Sequence, residues 1–130
     1  SPQAENVAVY SFWAPSMNKT SRVAAQFMEA YRKKYSEDPT TYFAPLAYSN
    51  IYIVAEAIRR SGTLEEQALI RALEATNHES ALGETINFKP SKVIRHQANP
   101  LYKIMQWQNG VLQVIWPFHM ATAAFRYPYK

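Results

Sequence analysis

Any chemistry in this chain has to come from a short list of side chains. Glu65 and Glu66 are neighbouring carboxylates of the kind that share acid and base roles. They also open a helical pattern, where capping and the helix dipole account for both. The histidines, His78, His96 and His119, have no spacing that would put two metal ligands on one element, and there is no cysteine to help them. Ser11, Ser16, Ser21 and Ser49 lack the glycine-flanked turn of a serine nucleophile. Three glycines in all leave no room for a phosphate-cradling loop. The expectation is a protein without catalysis, resident metal or cofactor. The absence of cysteine excludes disulfides and thiolate chemistry and does not identify a compartment.

Charge points to binding only weakly. The net charge is +4, but the basic residues are scattered. Lys33-Lys34 and Arg59-Arg60 fall near helix C-termini, where cations complement the dipole. Nine tyrosines could stack on single-stranded nucleic acid. Tyr31 and Tyr35 fall on a helix stripe, however, and burial accounts for them as well. A nucleic-acid partner is not expected.

The elements that would position these groups follow from periodicity. A composition of 48% hydrophobic and 18% charged residues describes one folded core, and no run approaches the roughly 20 apolar residues of a membrane span. Residues 1–6 lack the basic-then-apolar pattern of a secretion leader. Residues 7–12 read as a strand ending before Pro15. A helix follows to about Tyr35, capped by Asn18, Thr20 or Ser21, with Val23, Phe27, Tyr31 and Tyr35 as its buried face, helped by Ala24 and Met28. The stretch 40–62 holds the longest helix, with Pro45 as its first residue and Gly62 as its stop. Ala47, Ile51, Val54 and Ile58 are its expected core stripe, widened by Leu46 and Ile53. Thr63 and Glu66 form an expected capping box for a third helix. Residues 83–88 read as a strand, 89–100 as a connector and 117–130 as coil. Two β-rich runs around Asn109-Gly110 predict a hairpin. The strands at 7–12 and 83–88 have no evident partner in so short a chain.

The order strand, three helices, strand, connector, β-hairpin resembles the C-terminal portion of the type I periplasmic binding proteins, in the leucine/isoleucine/valine-binding family. The residues that carry the resemblance are Ser11-Phe12-Trp13, then Tyr31-Arg32-Lys33-Lys34-Tyr35, then Ala44-Pro45-Leu46-Ala47-Tyr48. Gly83-Glu84-Thr85-Ile86-Asn87-Phe88 and the hairpin from Ile104 to Pro117 complete the set. The chain departs from the family at Ser49-Asn50, where Asp-Ala is usual, and at Lys89-Pro90-Ser91-Lys92, which replaces an acidic, glycine-containing turn.

The resemblance implies an α/β fold that is the C-terminal part of a two-lobe protein. Residues 13–88 would belong to lobe one, and 7–12 and 101–116 to lobe two. It further implies an extracytoplasmic, periplasmic solute-binding component of an ABC importer. Such a protein closes on an amino acid or related carboxylate and partners the membrane subunits of the transporter. The family's N-terminal part, which supplies most ligand contacts, would be a further partner. A sensory ligand-binding domain would share the same fold. By position, Phe43 is the leading ligand-binding candidate, with Tyr42, Tyr48, Phe12 and Trp13 behind it.

Overall fold

The structure, a computed structural model, describes residues 4–90, 96 and 102–127. Asn109 and Gly110 take φ angles of 54° and 74°, the left-handed pair that a type I′ hairpin turn demands. They join β4, Lys103–Gln108, to β5, Val111–Trp116, in antiparallel register with Met105 opposite Val114. The strand at the N-terminal end does have a partner. β1, Ala8–Ser11, lies antiparallel along the other edge of β4, so the sheet order is β1-β4-β5. β4 is therefore central and is covered on both faces. Met105 enters the core on one side. On the other, Gln106 and Gln108 hold the tail through side-chain amides that donate to the carbonyls of Arg126 and Ala124 at 3.0 and 2.7 Å.

A 3-10 turn, Pro15–Lys19, leads from the sheet into α1, Arg22–Tyr35. Ser21 caps α1 by accepting the Ala24 amide at 3.2 Å. Ala24, Phe27 and Met28 are buried as expected, Val23 and Tyr31 are half-buried against the core, and Tyr35 lies exposed at the helix end.

α2, Phe43–Ser61, starts two residues before Pro45 and stops at Gly62 in the left-handed conformation. Its buried face is the expected one only in part: Ile53 is buried and Leu46 half-buried against the core, but the main stripe is not. Pro45, Ser49, Ile53 and Ala57 point inward. Ala47, Ile51, Val54 and Ile58 face outward, the last three with 71%, 50% and 39% of their surface accessible. The larger aliphatic residues set the period in the sequence. The smaller set meets a neighbour, because Ser49 Oγ accepts the Ala81 amide at 2.9 Å and donates to the Pro45 carbonyl at 2.9 Å.

α3, Glu66–Glu74, is capped differently from the expected box. Glu65 is the cap, and its two carboxylate oxygens take the amides of Gln67 and Ala68 at 2.9 and 2.8 Å. Thr63 stands one step further out, with its hydroxyl accepting the Glu65 amide. Those amide bonds hold the Glu65 carboxyl below its ordinary pKa. Within the segment 83–88, a two-residue strand β3, Thr85–Ile86, pairs with β2, His78–Glu79, where the polar sequence carries no strand signal. Trp13, Met17, Phe27, Met28, Ile53, Leu82, Met105 and Val114 share one core. Among the described residues no helix is long and apolar enough to cross a membrane. Most of the expected connector, 89–100, lies outside the described residues.

Candidate functional site

Among the described residues, a hollow forms where three loops converge. α1 ends at Ser36 with φ at 58°, which reverses the chain and brings Asp38 back onto Arg32. Arg32 donates two parallel bonds to the Asp38 carboxylate. This pairing holds the Asp38 carboxyl below, and the Arg32 guanidinium above, its ordinary pKa. The loop from Pro39 then runs past the 3-10 turn and the hairpin tip to the start of α2. A hollow of about 840 Å³ opens between them, lined by Trp13, Lys19, Tyr42, Phe43, Trp107 and Leu112 among others. That volume falls in the range of small-molecule pockets.

Aromatic contacts fix the wall. Phe43 is 62% exposed and rests on Tyr42, ring centroids 4.4 Å apart. Tyr42 in turn meets the edge of Phe12 at 5.2 Å. Trp13 is 3% exposed and stands edge-on to Phe27 at 6.0 Å. Its indole N–H, a buried donor, has no hydrogen-bond partner among the described residues. A buried donor at a cavity wall is a usual place for a ligand or water to bind. α2 has no side-chain cap, which leaves the amides of Phe43 and Ala44 without a capping partner, while Pro45 has no N–H and the Leu46 amide donates to the Tyr42 carbonyl at 3.1 Å. Lys19 adds a cation that makes no ion pair with the described residues. Together these groups can hold a small ligand that has a flat apolar body and an anionic end.

The five residues singled out from the sequence therefore separate. Trp13, Tyr42 and Phe43 line one hollow. Phe12 supports Tyr42 from behind and stacks on Tyr102 at 4.5 Å. Tyr48 turns to a different hollow between α1 and α2, against Phe27 at 5.2 Å and Tyr52 at 4.8 Å. Its hydroxyl donates to that of Tyr52, and this bond together with burial raises the Tyr48 pKa. Lys19, Trp107 and Leu112 escaped the sequence reading, since only tertiary packing brings the hairpin to α2.

The histidines are dispersed. His78 pairs with Glu56 at 3.3 Å and stacks on Tyr52. His96 pairs with Glu74. Among the described residues no group of three His, Cys, Asp or Glu is placed to hold a metal ion.

Comparison with known proteins defines the class. The fold superposes on a solute-binding protein of an ABC transporter from Rhodopseudomonas palustris, solved with 3,4-dihydroxybenzoic acid. The TM-score is 0.69 at 23% identity, over 86% of this chain and 30% of that one. A leucine-binding protein from Thermotoga maritima gives a TM-score of 0.67 at 21% identity, over 85% of this chain and 30% of its own. A Leu/Ile/Val-binding protein homologue from Brucella abortus is 30% identical over 105 residues, 79% of this chain and 26% of the relative. The family model for periplasmic binding proteins matches residues 1–111. The chain belongs to the periplasmic binding protein family, of type I, and spans about a quarter of the length of the curated relatives it matches.

Proposed function

We propose that this chain is the C-terminal part of an extracytoplasmic solute-binding protein serving an ABC importer. In this reading the hollow at the start of α2 is its share of the ligand cleft. One observation carries the reading: Trp13, Tyr42 and Phe43 from the segment 13–88 line the same hollow as Trp107 and Leu112 from the hairpin. If 13–88 is lobe one and 7–12 with 101–116 is lobe two, the hollow lies where two lobes close. The ligand is an amino acid or a related aliphatic or aromatic carboxylate. Phe43 and Trp13 face its apolar body, while Lys19 and the Phe43 amide at the start of α2 face its anionic end. Binding and closure, without catalysis, signal the transporter's membrane subunits.

Thermal unfolding of the longest natural polypeptide carrying this sequence tests the proposal. Leucine, other amino acids and hydroxybenzoates are added in turn. A true ligand at a hundred times its Kd stabilises by about 2.7 kcal/mol, a clear rise in midpoint. A flat response across the whole panel contradicts the reading. Tight, strongly salt-dependent oligonucleotide binding would replace it.

A further inference from the structure

The tip of the hairpin is held by a polar cluster that local sequence does not announce. Asn109 and Gly110 present successive amides at the turn, and both go to one carboxylate. Glu5 Oε1 accepts the Asn109 N–H at 2.8 Å, and Glu5 Oε2 accepts the Gly110 N–H at 3.4 Å. Adjacent amides of a turn form a concavity that suits an anion. Arg126 closes the cluster from the tail. Its Nη1 donates to Glu5 Oε1 at 3.4 Å and to Asn109 Oδ1 at 3.3 Å. Segments from both ends of the chain thus meet at one turn.

The backbone behind both charges is fixed to β4. The buried Gln106 side chain pairs with the Arg126 backbone much as a neighbouring strand would. Its Oε1 accepts the Arg126 N–H at 2.9 Å, and its Nε2 donates to the Arg126 carbonyl at 3.0 Å. The same Nε2 donates to the Asn6 carbonyl at 2.9 Å, one residue from Glu5. The tail that carries Arg126 lies beyond residues 1–111, the part that the family model matches. Glu5 and Arg126 do not line the hollow at the start of α2. The turn they hold does, at Gly110, and it runs directly into Val111 and Leu112, which also line it. Both charges are part-exposed, and an ion pair of that kind adds little to global stability. What the cluster sets is the position of the tip.

We propose that Glu5 and Arg126 are positioning residues for the ligand hollow. They fasten the hairpin tip, so that Trp107, Val111 and Leu112 stand as one wall before a ligand arrives. The proposal rests on the reading of that hollow as this chain's share of the cleft. A wall ordered in advance removes part of the entropy cost of binding, so the clasp acts on affinity more than on stability.

Glu5→Ala and Arg126→Ala, made in the longest natural polypeptide carrying the sequence, test this. Amide hydrogen exchange is followed without ligand at Gln108 and Val111, the strand pair next to the turn. Both sites should exchange at least about fivefold faster in each variant, with a melting midpoint within about 2 °C of the parent. Isothermal titration then uses leucine, phenylalanine, benzoate and 4-hydroxybenzoate as probes. A probe that binds the parent should bind each variant about fivefold more weakly. Exchange at the parent rate overturns the proposal, and so does faster exchange with an unchanged Kd. A midpoint that falls together with the affinity assigns the cluster to global stability and overturns it as well. If no probe binds the parent, the cleft reading fails and the proposal falls with it. Equal binding by parent and variants sinks the proposal alone.

Discussion

The two long faces of α2 differ in a direction opposite to their hydrophobicity. The outer face carries Ile51, Val54 and Ile58 and stands in solvent. The inner face carries Pro45, Ser49, Ile53 and Ala57, all buried, with Leu46 half-buried against the core beside them. Burial here follows what lies alongside. The turn around Ala81 comes close enough to give its amide to Ser49, and only a small side chain admits that approach. The aliphatic set has no such neighbour among the described residues. The comparison teaches that burial along α2 follows the neighbour that meets each face more than the size of the aliphatic side chains on it.

The largest effect should come from Ile53→Ala, which empties a core site that is 5% exposed. Urea unfolding of the 130-residue chain should show a loss of about 3 kcal/mol. Ile51→Ala, on the outer face, should stay within about 0.5 kcal/mol. Equal losses would erase the distinction between the faces.

Next in size is the turn that covers the inner face. A Cβ at Gly83, where φ is 77°, would stand 2.5 Å from Met17 Cε and 3.0 Å from Met120 Cε. Gly83→Ala should cost about 2 kcal/mol, from backbone strain and crowding together. Gly62→Ala meets open space at a φ of 67° and should cost only the backbone strain, about 1 kcal/mol. Matching midpoints for the two variants would show that the methionines yield freely.

Ser49→Ala removes the partner of a buried amide and should cost about 1–2 kcal/mol, against almost nothing for exposed Asn50→Ala. Circular dichroism melts of the two variants check this.

The smallest effect is one of pH. Lys103 is fully buried in β4, 3.3 Å from Glu84 in the same turn. Burial lowers its pKa, and the Glu84 charge partly restores it. A lysine whose folded pKa is depressed binds fewer protons than the unfolded chain between that value and the ordinary one, about 10.4. Stability therefore rises with pH across that window and is not gained below it. Compared with Lys103→Met across an alkaline series, the parent should gain relative stability as pH rises. A constant difference would mean the amine titrates alike in both states.

What could be read from the sequence was what local chemistry decides. Asn109-Gly110 dictates its own turn, Gly62 its own stop, and Ser21 its own cap, so these elements stand where periodicity and turn residues put them. At the start of α3, two residues either side of Leu64 compete for one cap. Glu65, not Thr63, takes it, because a carboxylate can serve two amides at once. β2 is two polar residues, invisible without its partner Ile86. The face of α2 could not be read, because periodicity locates an apolar stripe but not the surface that meets it. At the candidate site, Trp13, Tyr42 and Phe43 come from segments that the family resemblance marks. Lys19, Trp107 and Leu112 join them only through packing of distant elements. Tyr48 belongs to the aromatic approach in sequence but turns away one helical turn after Ala44.

The central claim is that the first turn of α2 forms a ligand wall while the rest of the helix is scaffold. Isothermal titration of the longest natural polypeptide with its stabilising ligand tests it, comparing Phe43→Ala with Tyr48→Phe. The account predicts at least a tenfold loss of affinity for Phe43→Ala, about 1.4 kcal/mol, with an unchanged melting midpoint, and no change for Tyr48→Phe. Unchanged affinity in Phe43→Ala would contradict it and return that ring to the scaffold.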